Sequence, residues 1–405
     1  PRIPAAELAA LQASGENIVI LDSRPMDEFN RMSIPGGIDC PGAELVYRVG
    51  MMAPDPSTTV IVNCAGRTRS IIGAQSLINA GIPNKVMALK DGTMGWELAG
   101  LTCAQGETEH APAPEGLALD RAKACATAVA KRFGVKHASP GDLAVWQAEH
   151  HRTTFLLDVR TAAEFEAAHW PGAKHAPGGQ LVQATDEFVG VRNARIVLAD
   201  TADGVRATMT ASWLTQLGHD DVHVLAATPD RPERGWPDNT PALFETFPAT
   251  ISAAELSAAS GDATPPFVID LADSQSFRRG HIPGARWTVR ARMPAWVHNV
   301  PDTVPVVLTS PDGRLAHFAA AELKSAKPDL DVRVLDGGTA AWAAAGSTLE
   351  AGMDGRAMTT TDDIWAKPYE NEGRVREAME AYLTWEVGLV DQVERDGLVQ
   401  FRKFA

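Results

Sequence analysis

Apolar residues in this chain gather into short unbroken runs rather than strict alternations. IVILD, FLLD and FVID each end in an aspartate, at Asp22, Asp158 and Asp270. A second run follows each one: VIVN before Cys64, IVLA before Asp200 and VVLT before Ser310. Short apolar runs without a polar face predict strands buried on both sides, as in a parallel sheet. Between them lie helix-length stretches, PAAELAALQAS, SIIGAQSLINAG, TMTASWLTQLG and HFAAAELKSA. Gly81 and Gly218 close two of these and are predicted to cap them with positive φ. Strand and helix alternation predicts an α/β fold, a parallel sheet with helices on both faces.

The spacing of these elements repeats. A Pro-Gly turn comes 13 residues after each aspartate, at Pro35, Pro171 and Pro283. The second strand ends 42, 42 and 40 residues after it, at Cys64, Asp200 and Ser310. GTMGW and GTAAW each place a tryptophan, Trp96 or Trp342, 32 residues beyond Cys64 or Ser310. Three copies of one unit are therefore expected, at 1–104, 131–240 and 248–348. The linker ETEHAPAPEG and a helical stretch separate the first two, and PDRPERGWPDNTP separates the last two. A helical C-terminal tail fills 349–405. Its apolar positions Val375, Met379, Leu383, Val387 and Val390 recur at helical spacing, predicting a helix docked on its own chain.

The formal net charge of −14 over 405 residues disfavours a nucleic-acid partner. No apolar run approaches the ~20 residues needed to cross a bilayer. The four cysteines, Cys40, Cys64, Cys103 and Cys125, form no C-x-x-C pair and are too few for a disulfide scaffold, so a reducing, cytoplasmic setting is expected. The chain starts at Pro1 rather than Met, which reads as a trimmed start.

Cys64 carries the chemistry. Ligands collect beyond the C-terminal ends of parallel strands, beside the unpaired N–H groups of the next helix. The loop Cys64-Ala65-Gly66-Arg67-Thr68-Arg69 is thus predicted to wrap backbone amides around a sulfur, with Arg67 and Arg69 as cations for an oxyanion. Such surroundings predict a depressed thiol pKa and a nucleophilic thiolate. The other two copies serve as a control. At the places of Cys64, Arg67 and Arg69 they hold Asp200, Asp203 and Val205, or Ser310, Gly313 and Leu315. Glu44 and Arg48 of the first copy become Gln180 and Ala184 in the second. Asp22 and Arg24 recur as Asp158 and Arg160 where no thiol exists, which favours a structural role for that pair. Cys40 reads as incidental rather than as a resolving thiol. His169 and His281 precede their turns where the first copy has Ser33, so they are no shared base.

The pattern LDxR, IPGG, VxxCAGRTRS and GTxGW resembles the rhodanese family of sulfurtransferases, over all three copies. The resemblance implies tandem rhodanese-like domains, the first catalytic and the others inactive, similar to bacterial multidomain rhodaneses, some of which have another unit upstream. It implies a persulfide on Cys64, formed from a donor such as thiosulfate and passed to cyanide or a thiol. Ala65, Gly66, Arg67, Thr68, Arg69 and Ser70 would cradle the donor, and Arg48 would add a third cation. It implies small-molecule partners and no cofactor or metal; a homo-oligomer is compatible with the sequence. Three alternatives compete with this reading. A phosphatase of this fold needs an arginine six residues after the cysteine, where this chain has Ser70. A 3-mercaptopyruvate donor suits a less charged loop, and a sulfur-sensing scaffold would use Cys64 without turnover.

Overall fold

The computed structural model describes residues 1–237, 248–371, 373–399 and 401–404. Three five-stranded parallel sheets are present. The first comprises β1 (Arg2–Ile3), β2 (Ile18–Asp22), β3 (Gly37–Asp39), β4 (Thr59–Asn63) and β5 (Val86–Leu89), in the order β1-β5-β4-β2-β3. The second comprises β6 (Lys136–His137), β7 (Thr154–Asp158), β8 (Lys174–His175), β9 (Arg195–Ala199) and β10 (Val222–Leu225). The third comprises β11 (Ala249–Ile251), β12 (Phe267–Asp270), β13 (Arg286–Trp287), β14 (Val306–Thr309) and β15 (Val332–Leu335). All three share one topology, so the repeats read from spacing are repeats of fold. The predicted linker around 229–241 runs into 238–247, outside the described residues.

In the first repeat the helices are α1 (Ala5–Ala13), α2 (Met26–Arg31), α3 (Leu45–Met52), α4 (Thr68–Asn79) and α5 (Gly92–Leu98). Successive side chains of a strand point to opposite faces. Val60 and Val62 of β4 pack with Val46 and Val49 of α3 and Ala74 and Leu77 of α4. Ile61, between them, packs with Leu8 of α1 and Trp96 of α5 on the other face. Both faces are dry, which is why the strands carry no polar alternation. Gly81 and Gly218 have φ of +71° and +99°, as their capping positions require.

A further helix, α6 (Gly116–Phe133), joins the first two repeats. Its Ala122, Ala126, Val129 and Phe133 are buried in the same cluster as α3 and as Val205 and Met209 of the second repeat. Arg206, fully buried, seals this junction. Its guanidinium bonds Asp200, Glu164 of the same repeat at 2.7 Å and Glu44 of the first at 3.1 Å, and lies over the Tyr47 ring. Pro1–Trp236 and Pro368–Ala405 make up one compact unit, and Pro237–Lys367 a second. The predicted tail therefore divides. Its opening part pairs with the third repeat, where Met358 donates to the Trp287 carbonyl. The rest carries the tail helix, Val375–Asp396, which packs on the first repeat. Among the described residues, no helix is long and apolar enough to cross a membrane, and no cluster of three or more His, Cys, Asp or Glu could hold a metal ion.

Candidate active site

Cys64 follows β4 directly and precedes the first turn of α4, at the end of a central strand. Its carbonyl accepts from Thr93 N at 2.9 Å, and the Ala65 carbonyl accepts from Met94 N at 3.0 Å. The GTMGW segment thus latches the loop from behind. Gly92, with φ of +56°, passes so close that a Cβ there would lie 2.8 Å from the Ala65 carbonyl carbon and collide outright with the Cys64 oxygen. GTAAW does the same in the third repeat, where Thr339 N donates to Ser310 O at 3.0 Å. The latch belongs to the fold; the thiol belongs to the first repeat alone.

Below the loop, Asp22 and Arg24 form a buried bidentate pair at 2.8 Å, and Arg24 Nη2 donates to the Met32 carbonyl. Asn63 Nδ2 donates to Asp22 Oδ2 at 2.6 Å, which ties the residue before Cys64 to that pair. Asp158 and Arg160 repeat the arrangement with the Ala168 carbonyl. The same geometry is thus kept in a repeat that has no thiol.

The loop sequence predicts a thiol ionising easily; the structure reverses that direction. Burial pushes the Cys64 thiol up, and it outweighs Arg69 and the hydroxyl and backbone N–H of Ser70, which pull it down; Asp22 adds to the rise. Only 2% of Cys64 is exposed. Desolvation of sulfur is the physical reason, and the tail helix lies against the loop beside it. Met379 packs against Ala65 and Met94, with Tyr382 and Leu383 beside them. Burial pushes the Tyr382 hydroxyl up to about 12, helped by the charges of Glu386 and Cys64, so this ring stands near the sulfur.

The predicted cations part company. Arg67 precedes α4, and its Nε and Nη1 are buried with no hydrogen-bond partner. Arg69 is bound at both forks by Glu28 of α2, at 2.8 and 2.9 Å. Burial works against its charge, yet the Glu28 carboxylate keeps its pKa above the ordinary value. Arg48 is committed elsewhere: it pairs with Glu44 at 2.6 Å, donates to the Ala111 carbonyl at 2.7 Å, and lines a 250 Å³ cleft with Asp39 and His110. Its place as a third cation at the loop is not what the structure displays. Ser70 Oγ donates to the Arg67 carbonyl at 3.0 Å, steadying the loop's exit into α4. Thr68 offers its N–H and hydroxyl to Glu386 of the tail helix, at 2.9 and 2.5 Å.

Glu28 and Glu386 are the neighbours that the loop motif did not reveal. Glu28 had a signal, since it lies six residues after Asp22 as Glu164 lies six after Asp158. Glu386 had none. Cys40 is fully buried in the first core, where burial holds its thiol well above the ordinary value.

In the second repeat Asp200 fills its own loop. It accepts from Thr201 N, Ala207 N and Arg206 Nε. Burial pushes its carboxyl up to about 6 against those bonds. In the third repeat the Ser310 hydroxyl oxygen accepts a long bond from Ala316 N, at 3.4 Å.

Comparison with known proteins accords with this construction. A thiosulfate sulfurtransferase from Pseudomonas aeruginosa has a crystal structure that superposes with a TM-score of 0.91 at 46% identity, over 100% of this chain and 76% of that one. The HTH-type transcriptional regulator Rv0324 of Mycobacterium tuberculosis is 32% identical over 104 residues, 26% of this chain. The match spans 45% of that regulator, under half its length. Residues 4–99, 140–227 and 252–345 each match the rhodanese-like domain, and the chain belongs to that family.

Proposed function

We propose that the protein is a sulfurtransferase that takes sulfane sulfur from thiosulfate onto Cys64 and hands it to cyanide or a thiol. The observation that carries this reading is the conjunction of Cys64 with the unpartnered donors of Arg67, a pairing that neither other repeat retains. That the Pseudomonas relative is a thiosulfate sulfurtransferase supports the choice of donor.

The Cys64 thiolate attacks the outer sulfur of thiosulfate. A sulfur–sulfur bond forms, the original one breaks, and sulfite departs with the bonding pair. The free Nε and Nη1 of Arg67 can take two sulfonate oxygens, as a planar guanidinium suits such a group. The Ser70 N–H stabilises negative sulfur in both halves of the cycle. A thiophile then attacks the outer sulfur of the persulfide and returns Cys64 as thiolate. Because burial disfavours that thiolate, the persulfide, a weaker base, is the more comfortable resting form. Arg69, neutralised by Glu28, acts through its field rather than by direct binding.

Thiocyanate formation from thiosulfate and cyanide tests the reading, wild type against Cys64→Ser. A loss of at least about a thousandfold is expected for removal of a nucleophile, with one added sulfur atom on the wild-type protein by mass spectrometry. Equal rates would dismiss the reaction.

A further inference from the structure

The amide at the start of α4 already holds an anion, and it is the protein's own. Glu386 Oε1 accepts from Thr68 N at 2.9 Å and from Thr68 Oγ1 at 2.5 Å. Glu386 is 9% exposed, and its Oε2 is buried without a hydrogen-bond partner. A Cβ on Gly66 would come within 2.7 Å of that oxygen, 3.2 Å of Tyr382 Cε1 and 3.6 Å of Leu383 Cδ2. The tail helix therefore rests on the backbone of the active loop, where only glycine admits it. First-turn N–H groups of a helix are unpaired and attract negative charge. In the reaction proposed above, this is where donor oxygens approach.

We propose that Glu386 is a specificity-determining residue of the Cys64 site: its carboxylate occupies the anion position at the head of α4, so that reagents reaching Cys64 are sorted by charge. A doubly negative donor must displace this carboxylate or bind against it. An uncharged thiophile meets only shape. The inference rests on the sulfur-transfer reading for its consequence in turnover, while the sorting itself belongs to the thiol and can be measured without turnover.

Alkylation separates the two. Thiolate attack on the methylene carbon of iodoacetate or iodoacetamide expels iodide, and the two reagents differ chiefly in charge. Rates at Cys64 would be followed by mass spectrometry in the full chain, for wild type and Glu386→Gln, with Cys64→Ser marking background. Gln keeps the length of the side chain and an oxygen for Thr68, so the helix stays docked. The iodoacetate rate should rise by about tenfold or more in Glu386→Gln, as expected for removing one charge at close range in a poorly hydrated site. The iodoacetamide rate should stay within about twofold. In turnover, KM for thiosulfate should fall while the dependence on cyanide holds. Equal acceleration of both reagents would mean that the helix merely covers the thiol, and no change in either would mean that the carboxylate is idle; each result overturns the proposal. An altered alkylation ratio in a protein that makes no thiocyanate would uphold the sorting and dismiss the thiosulfate reading.

Discussion

Gly92→Ala should injure the active loop without replacing any residue of the Cys64–Ser70 segment. Gly92 has φ of +56°, and a Cβ there would sit 2.8 Å from the Ala65 carbonyl carbon and inside contact distance of the Cys64 oxygen. An alanine in the left-handed region costs about 1 kcal/mol. Relief of the clash sacrifices the bonds from Thr93 N to Cys64 O and Met94 N to Ala65 O, each worth about 1 kcal/mol. The sum is a destabilisation of about 3 kcal/mol. If the loop yields instead, a shift of about 1 Å at the nucleophile costs about a hundredfold in turnover. Gly338→Ala is the built-in comparison. Gly338 has φ of +65°, and its Cβ would collide with the Ser310 carbonyl in a repeat without a thiol. Urea unfolding should register a similar loss in both variants, while thiocyanate production should collapse only in Gly92→Ala. Wild-type activity in Gly92→Ala, or equal activity in the two variants, would refute the idea that this latch sets the position of Cys64.

Arg206→Met should destabilise the first unit by about 3–5 kcal/mol in urea unfolding, since it strands Glu44, Asp200 and Glu164 beside a buried gap. Alkylation of Cys64 by iodoacetamide should show its inflection above the ordinary thiol range, because burial disfavours the thiolate, and Arg69→Met should move it higher still; an inflection below that range would overturn the account of the site. Asp39 has its carboxyl pushed up to about 7 by burial, then by Asp22 and Glu44 against Arg24 and Arg48. Its protonated form is the one favoured on folding, so stability should decline as pH rises from about 4 through about 7. Asp39→Asn should remove that decline and be the more stable protein at pH 8 by about 1–3 kcal/mol, as removal of a poorly solvated charge predicts.

Much of the fold was legible because backbone needs recur with the repeat. The aspartate-ended strands, Pro-Gly turns and GT latch each serve the same contacts in more than one copy, so spacing alone exposed them. The position of Cys64 was legible for the same reason. What escaped was set by partners distant in the chain. Arg69 looked like a free cation until Glu28, on another helix, took both its forks. Arg48 looked like a third one, yet its neighbours are Glu44 and Ala111. The thiol's ionisation was misjudged because charge can be counted along a chain and burial cannot. On the tail helix, Met379 is buried as its periodicity predicts, but Val387 and Val390 are 59% and 65% exposed. Apolar spacing found the docking face and could not single out Glu386, a carboxylate one turn beyond it.

The loop of the second repeat that corresponds to the Cys64 loop serves as a joint. Asp200 stands where a nucleophile would stand, and it holds the cation that binds Glu44 of the neighbouring repeat. A cysteine at 200 would take away one of the three carboxylates that hold that cation, and leave Glu164 and Glu44 to fix the join between the two repeats. Position 200 acts as a rivet, and a reaction centre placed there would have to be built together with a new joint.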